Sequence, residues 1–279
     1  MDILKQKSIE AIVESSILSF AIGLEERYTK EVDNPDGVIN RKKNNCFIAE
    51  LGEEFMFYSA FVRSFDSSFG RILENIGNNI AKLSYDVRKN VKSYFLPQQS
   101  QHVDYMISGY EKHTKPKVTD YNSFNCMIPH DTRSFEKDHV TDHYFYKEDT
   151  KEHFLIELKA GGDLDNKKAK TEKIALLQEY FILKNSLDQN SEDTIKIFLA
   201  TAYNAFGEGN VWKQDRVKQF FAEDELLIGR DYWNFVCDDS EGFNIVFKQY
   251  QKSCEHIKSS LERIKTLYFL KDNKYLIDD

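Results

Sequence analysis

Proline and glycine are scarce in this chain, with 4 and 12 among 279 residues. Together with the lack of any low-complexity tract or internal repeat, that scarcity excludes a disordered or repeat-built protein. Cysteine is sparse as well. Cys46, Cys126, Cys237 and Cys254 are widely spaced and form no Cys-x-x-Cys pair, which argues against a zinc site or a disulfide framework and for free thiols in a reducing cytoplasm. No apolar run is long enough to span a bilayer and no signal peptide opens the chain, so a cytoplasmic protein without membrane attachment is expected. Positive charge is also in deficit, 38 Lys and Arg against 46 Asp and Glu, for a net −8. That balance weighs against a non-specific nucleic-acid coat protein, whose binding is driven by phosphate neutralisation. It leaves room for an enzyme whose field is local.

What is present is enough apolar and aromatic material for a sizeable core, 41% and 14% of residues, and a single domain spanning 1–279 is expected. Its centre is the stretch Asp142-His-Tyr-Phe-Tyr-Lys-Glu-Asp-Thr-Lys-Glu-His-Phe-Leu-Ile-Glu-Leu-Lys159. Folded on a turn between Asp149 and Thr150, it becomes a hairpin in which Tyr144 faces Leu155, Phe145 faces Phe154, His143 faces Ile156 and Tyr146 faces His153. Asp142 then lies opposite Glu157, and opposed residues of an antiparallel pair point to the same side. Lys159, two residues on, shares that side. The other side carries His143, Phe145, Phe154, Ile156 and Leu158, a surface for core packing. A slip of one residue would send Asp142 to the wrong face.

Two carboxylates beside an amine suit one kind of chemistry. Mg²⁺ takes oxygen ligands and commonly binds through one or two carboxylates while keeping water and phosphate oxygens. The ion polarises a phosphoryl group and acidifies water, and a lysine can steer that water or offset charge developing on phosphorus. Glu-x-Lys alone is a common pair on solvated strands. Here it is supported by the apolar run Phe154-Leu155-Ile156, the Gly161-Gly162 exit and the acid at mirror-image register.

Asp, a hairpin, then Glu-x-Lys resembles the PD-(D/E)xK nuclease superfamily, particularly type II restriction endonucleases. The resemblance implies that Asp142 and Glu157 are metal ligands and Lys159 the catalytic lysine; Thr141 replaces the proline of the motif's name. It further implies hydrolysis of double-stranded DNA at a short site to 5′-phosphate ends, by a homodimer matched to a palindrome. The segment Arg63-Ser-Phe to Glu74 is similar to one ahead of the catalytic hairpin in several restriction enzyme families. There a helix often adds a glutamate to the metal site, and Glu74 is the candidate, with Glu50 and Glu54 as rivals and a solvated helical acid as the competing account. The general look of the chain resembles a family that cuts GGNCC.

Around this centre, 1–95 reads as a helical region. Ser8–Leu24 repeats at helical spacing, Asn34-Pro35-Asp36-Gly37 marks a turn, and Asn45–Val62 is a second helix with Ile48, Leu51, Phe55, Tyr58 and Val62 in one stripe. A further helix capped by Asp66 or Ser67 turns Phe69, Leu73, Ile76, Ile80 and Leu83 to the core. No clean period appears over 96–137. His139 and His143, read on a strand, lie away from Asp142 as structural histidines.

After Lys159, Asp163 or Asp165 can cap a helix over Lys167–Lys184, whose Lys167 and Lys168 could clamp a phosphate at its amino end. Thr194–Tyr203 then returns as a strand parallel to the one bearing Glu157, by a right-handed crossover. The core over 138–203 is therefore expected to be α/β (α+β), a central mixed sheet flanked by helices, with an N-terminal helical region and a C-terminal helix; the resemblance implies that it is a catalytic, restriction-endonuclease-like core. Beyond it, 204–279 holds a glycine-punctuated loop into a short helix. Its Asn210, Lys213, Gln214, Arg216 and Lys218 have side chains suited to base edges. Glu223–Cys237 reads as core, and Tyr250, Cys254, Ile257, Leu261, Ile264 and Tyr268 as a terminal docking helix. A repair or recombination nuclease with the same site, or a silent DNA-binding module on the same fold, are the alternatives to a restriction enzyme.

Overall fold

The computed structural model describes residues 1–161, 164–188 and 191–269. Its helices are α1 (Ile3–Glu31), α2 (Cys46–Ala49), α3 (Glu53–Ala81), α4 (Pro97–Glu111), α5 (Thr119–Asn122), α6 (Asn166–Ser186), α7 (Asp215–Lys218), α8 (Arg230–Cys237) and α9 (Gly242–Phe269). Its strands are β1 (Asp86–Tyr94), β2 (Glu136–Lys147), β3 (Glu152–Lys159), β4 (Thr194–Thr201) and β5 (Leu226–Ile228). The chain divides into two compact units, one of Met1–Ile76 with the chain from Asn244 onward, the other of Gly77–Phe243. No described helix is long and apolar enough to cross a membrane, and all four cysteines are free thiols.

The first unit is helical. In α1 a single stripe, Ile9, Val13, Ile17, Ala21, Leu24 and Tyr28, is buried. The chain then turns at Asn34–Gly37, where the Gly37 amide donates to the Asn34 carbonyl at 2.9 Å. The expected helix over Asn45–Val62 is in fact broken: α2 ends, Gly52 takes a φ of +92°, and α3 starts at Glu53. The expected stripe is also displaced. Leu51, Phe55, Tyr58 and Val62 are exposed, whereas Met56, Phe57, Ala60 and Phe61 are buried. Stacked rings explain both this and the absence of a new start at Asp66 or Ser67. Phe57 stacks on Phe61, Phe61 on Phe65, and Phe65 on Phe69, each pair four residues apart on one face of a continuous helix. Leu83, expected inside, is exposed beyond the helix end. In α9 the buried positions include Ile257 and Ile264 as expected, with Ser253 and Ser260 beside them.

The second unit is built on a five-stranded sheet in the order β1-β2-β3-β4-β5. Strands β1, β2 and β3 pair antiparallel, and β3, β4 and β5 pair parallel. A mixed sheet with a helical crossover from β3 through α6 to β4 is the expected core. Its hairpin register also agrees with expectation: His143 pairs with Ile156, Tyr144 with Leu155, Phe145 with Phe154 and Tyr146 with His153. The turn is closed by a short 3₁₀ segment, Glu148–Thr150, and Lys151 at a φ of +54°. One face of the sheet packs on α6 through Tyr144, Leu155, Leu177, Phe181, Ile197 and Leu199. On the other, Phe145, Phe154 and Phe198 meet the rings of Tyr85 and Phe235.

Two elements of this unit differ from expectation. β1 lies within the stretch read as helical; its Asp86-Val-Arg-Lys-Asn-Val-Lys-Ser-Tyr has few apolar residues because it is an edge strand, solvated along much of its length. The stretch without a clear period contains α4, started by Pro97 and burying Val103, Met106, Ile107 and Tyr110.

Candidate active site

Between Arg88 and Asn90 the β1–β2 ladder jumps: Arg88 pairs with Tyr144, but Asn90 pairs with Val140. Thr141, Asp142 and His143 thus stand against Lys89 alone, a bulge of two extra residues in β2. Bulges re-aim side chains and are frequent beside active sites. Here the bulge holds Asp142, whose carboxylate Oδ2 accepts from the Leu158 amide at 3.3 Å. That bond ties the acid to the segment between Glu157 and Lys159, continuing the hairpin where its backbone ladder has ended at His143–Ile156.

The bulge also changes which side residues beyond it face. His139 was expected on the side away from Asp142. Instead its Nδ1 lies 2.9 Å from Glu179 Oε1 on α6, angled so that no hydrogen bond forms. His143 is on the expected side, fully buried, and burial pushes its pKa down to about 3.

On the α6 side, Asp142, Glu157 and Lys159 are joined by two acids that sequence reasoning did not single out. Lys159 Nζ pairs with Glu157 and also with Glu172 Oε1, the latter at 2.8 Å. Burial works against the Lys159 ammonium, but the two carboxylates more than offset it and hold its pKa above the ordinary value. Glu157 is pushed up to about 7 by burial and by the Asp142 charge, with Lys159 opposing. Glu179, nearly inaccessible, is pushed up to about 8 by burial and by the charges of Glu157, Asp142 and Glu172. Glu172 and Glu179 are seven apart, so both lie on one face of α6; that spacing was the available signal, and nothing local joined it to the hairpin.

One amine among four carboxylates leaves a surplus of negative charge, which with burial raises the proton affinity of Glu157 and Glu179. The donor set, oxygens only, fits a hard divalent cation. Among the described residues no group of three or more His, Cys, Asp or Glu closes around a point. Mg²⁺ has no need of such a cage, because it binds through one or two carboxylates plus water and substrate oxygens.

The protons have a thermodynamic signature. Glu179 and Glu157 have folded pKa values above the ordinary 4.5. Their contribution to stability is therefore complete below about pH 4.5 and is lost as pH rises through the folded values. These two acids are expected to cost the metal-free protein stability from pH 5 to pH 9, against the opposite trend of His143 below its ordinary pKa. Glu179→Gln, which cannot ionise, should recover on the order of 3 kcal/mol of that loss, at about 1.4 kcal/mol per pKa unit. Urea unfolding at the two pH values checks this, and superimposable pH profiles for the two proteins would refute it.

The other expected site residues lie on several elements. Glu74 is half-buried on α3 in the first unit, as Glu50 and Glu54 are exposed near its start. Lys167 and Lys168 are exposed in the first turn of α6, where Asp165 is the cap, accepting from the Lys168 amide at 2.8 Å. Gly162 and Asp163, the alternative cap, lie outside the described residues. The Ala202 amide donates to the Lys159 carbonyl at 3.0 Å, so the loop toward Asn210 leaves the sheet beside the end of β3. Within that loop Asn210 is exposed, its amide nitrogen donating to the Phe206 carbonyl at 2.8 Å. Lys213 and Arg216 are exposed and Lys218 is half-buried. Gln214 is turned inward, its Oε1 accepting from the Leu164 amide at 3.4 Å.

A family model described as "Type II restriction endonuclease, HinfI" matches residues 5–254. No curated protein and no solved structure matches the chain. With nearly the whole of the 279 residues inside the family match, the chain belongs to the HinfI family of type II restriction endonucleases, enzymes that cleave DNA at specific sites.

Proposed function

We propose that the chain is a Mg²⁺-dependent homodimeric endonuclease that hydrolyses double-stranded DNA at a short site and leaves 5′-phosphate ends, with Asp142 and Glu157 as metal ligands. The observation that carries this reading is the gathering of these two half-buried acids with Lys159 on one side of β2–β3, where burial and the Asp142 charge push Glu157 up to about 7. A divalent cation at such a pair supplies the charge that polarises a phosphoryl oxygen and acidifies water. The chain's own part is orientation. The Leu158 amide fixes Asp142, and Glu157 and Glu172 hold the Lys159 ammonium charged, ready to steer water or offset charge on the phosphate. Lys167 and Lys168 would take backbone phosphates, and Lys213 and Arg216 base edges; all four are exposed.

The test is incubation of the protein with plasmid and genomic DNA in Mg²⁺ or EDTA, followed by sequencing of the fragment ends. Discrete fragments with 5′-phosphates in Mg²⁺ alone are expected, and the ends decide whether the site is GGNCC. Non-specific degradation, or binding without cutting, would refute the reading. With the site known, Arg216→Ala should cost about 1–3 kcal/mol of specific binding while sparing non-specific binding. An equal loss on all DNA would make Arg216 a phosphate contact.

A further inference from the structure

The bulge that carries Asp142 is pinned from the opposite side of the sheet. Residues pushed out of a ladder leave backbone polar groups that need other partners. The Asp142 carbonyl finds one in Asn78 on α3, whose Nδ2 donates to it at 3.3 Å. Asn78 Oδ1 lies 2.8 Å from His143 Nδ1, and His143 Nε2 lies 2.9 Å from the Tyr232 hydroxyl on α8. Thr141 closes the other flank of the bulge, its hydroxyl donating to the Lys89 carbonyl at 3.4 Å.

The bond directions in this chain follow from one another. Because the Asn78 nitrogen serves the Asp142 carbonyl, its oxygen faces the imidazole and must accept from Nδ1–H. The neutral ring then offers Nε2 as an acceptor, and the Tyr232 hydroxyl donates to it. Each member has its polar edge used in one sense. The fit is close: a Cβ on Gly77, the residue before Asn78, would collide with the Tyr232 hydroxyl. A glycine at that point of α3 is what lets the hydroxyl reach His143.

We propose that Asn78, His143 and Tyr232 are positioning residues for Asp142. They fix the tilt of the bulged peptide and so aim the Asp142 carboxylate at the place it shares with Glu157. The proposal rests on the reading of Asp142 as a metal ligand. A partner that orients a ligand in this way commonly matters almost as much as the ligand itself.

Two variants separate the links. Asn78→Asp keeps an oxygen toward His143 and removes the donor to the Asp142 carbonyl. Tyr232→Phe keeps the ring and removes the donor to Nε2. Three readouts are taken: thermal unfolding, Mn²⁺ binding to the protein alone by electron paramagnetic resonance, and the Mg²⁺ concentration giving half-maximal cleavage. Asn78→Asp is expected to weaken Mn²⁺ binding and raise the Mg²⁺ requirement by about 10-fold or more, with Tyr232→Phe shifting both in the same direction by less. Wild-type Mn²⁺ binding and Mg²⁺ requirement in folded variants would overturn the proposal, and should Asn78→Asp fail to fold, Tyr232→Phe decides alone. Asp142→Ala distinguishes the two levels. If it cuts normally, the metal-site reading has failed; if it is inactive while both variants match wild type, the positioning role alone has failed.

Discussion

Glu157→Ala, Asp142→Ala and Lys159→Ala are each expected to give a protein that binds its DNA site in Ca²⁺ yet fails to cut it in Mg²⁺, with a loss of about 10³-fold or more. Losing one preorganised group aimed at developing charge already costs roughly 10²–10³-fold, and the two acids also set the position of the ion. The three losses should differ in kind. Asp142→Ala frees the Leu158 amide and removes one of the charges that push Glu157 up. Lys159→Ala leaves Glu157 and Glu172 without their common cation and so pushes Glu157 further up, and its residual activity should keep rising with pH beyond the point where the wild type levels off. Gel-shift binding in Ca²⁺ beside single-turnover cleavage in Mg²⁺ separates binding from chemistry. Full activity in the Glu157 or Lys159 variant would remove the site from this hairpin.

The largest effect on stability is expected away from the acids, at Lys173. This lysine follows Glu172 on α6, is fully buried, and has its Nζ 2.6 Å from both oxygens of Glu225. Glu225 also accepts from the Tyr121 hydroxyl at 2.8 Å and the Ala222 amide at 2.7 Å. The aromatic faces of Tyr121 and Phe221 flank the ammonium, and burial lowers its pKa against the opposing Glu225 charge. Removing one partner of a buried pair strands the other, at a cost of about 3–5 kcal/mol. Glu225→Gln and Lys173→Met should each lower stability by that amount in urea unfolding, and the double substitution by less than the sum. Additive losses, or singles below about 1 kcal/mol, would show that the pair is not coupled. Because Lys173 anchors the helix that presents Glu172 and Glu179, partial losses of activity should accompany the losses of stability.

The hairpin was legible in the sequence because one face is strongly apolar and a slip by one residue was read as burying Tyr144 and Tyr146 in place of Phe145, although Tyr144 is in fact buried on the α6 side. Its register, the α6 crossover and the parallel β4 follow from that and from ordinary periodicity. Position along α3 was misread, because aromatic residues crowd both faces of that helix and the ring stack through Phe57, Phe61, Phe65 and Phe69 decides which face is inside. Strand β1 was missed since an edge strand needs little apolar surface. Glu172 and Glu179 could be assigned to one helix face, but their meeting with Lys159 depends on how α6 crosses the sheet, which no local pattern encodes. The placement of His139 failed for a different reason: strict alternation was carried through a bulge that breaks it.

That bulge has a consequence for how sequences of this kind can be aligned. Two residues of β2 are absorbed at Thr141–His143 without a counterpart in β1, so the pairing upstream of the acid can shift along β1 without disturbing the hairpin that follows. Insertions or deletions just before Asp142 can be taken up by the bulge while the hairpin that follows keeps its phase.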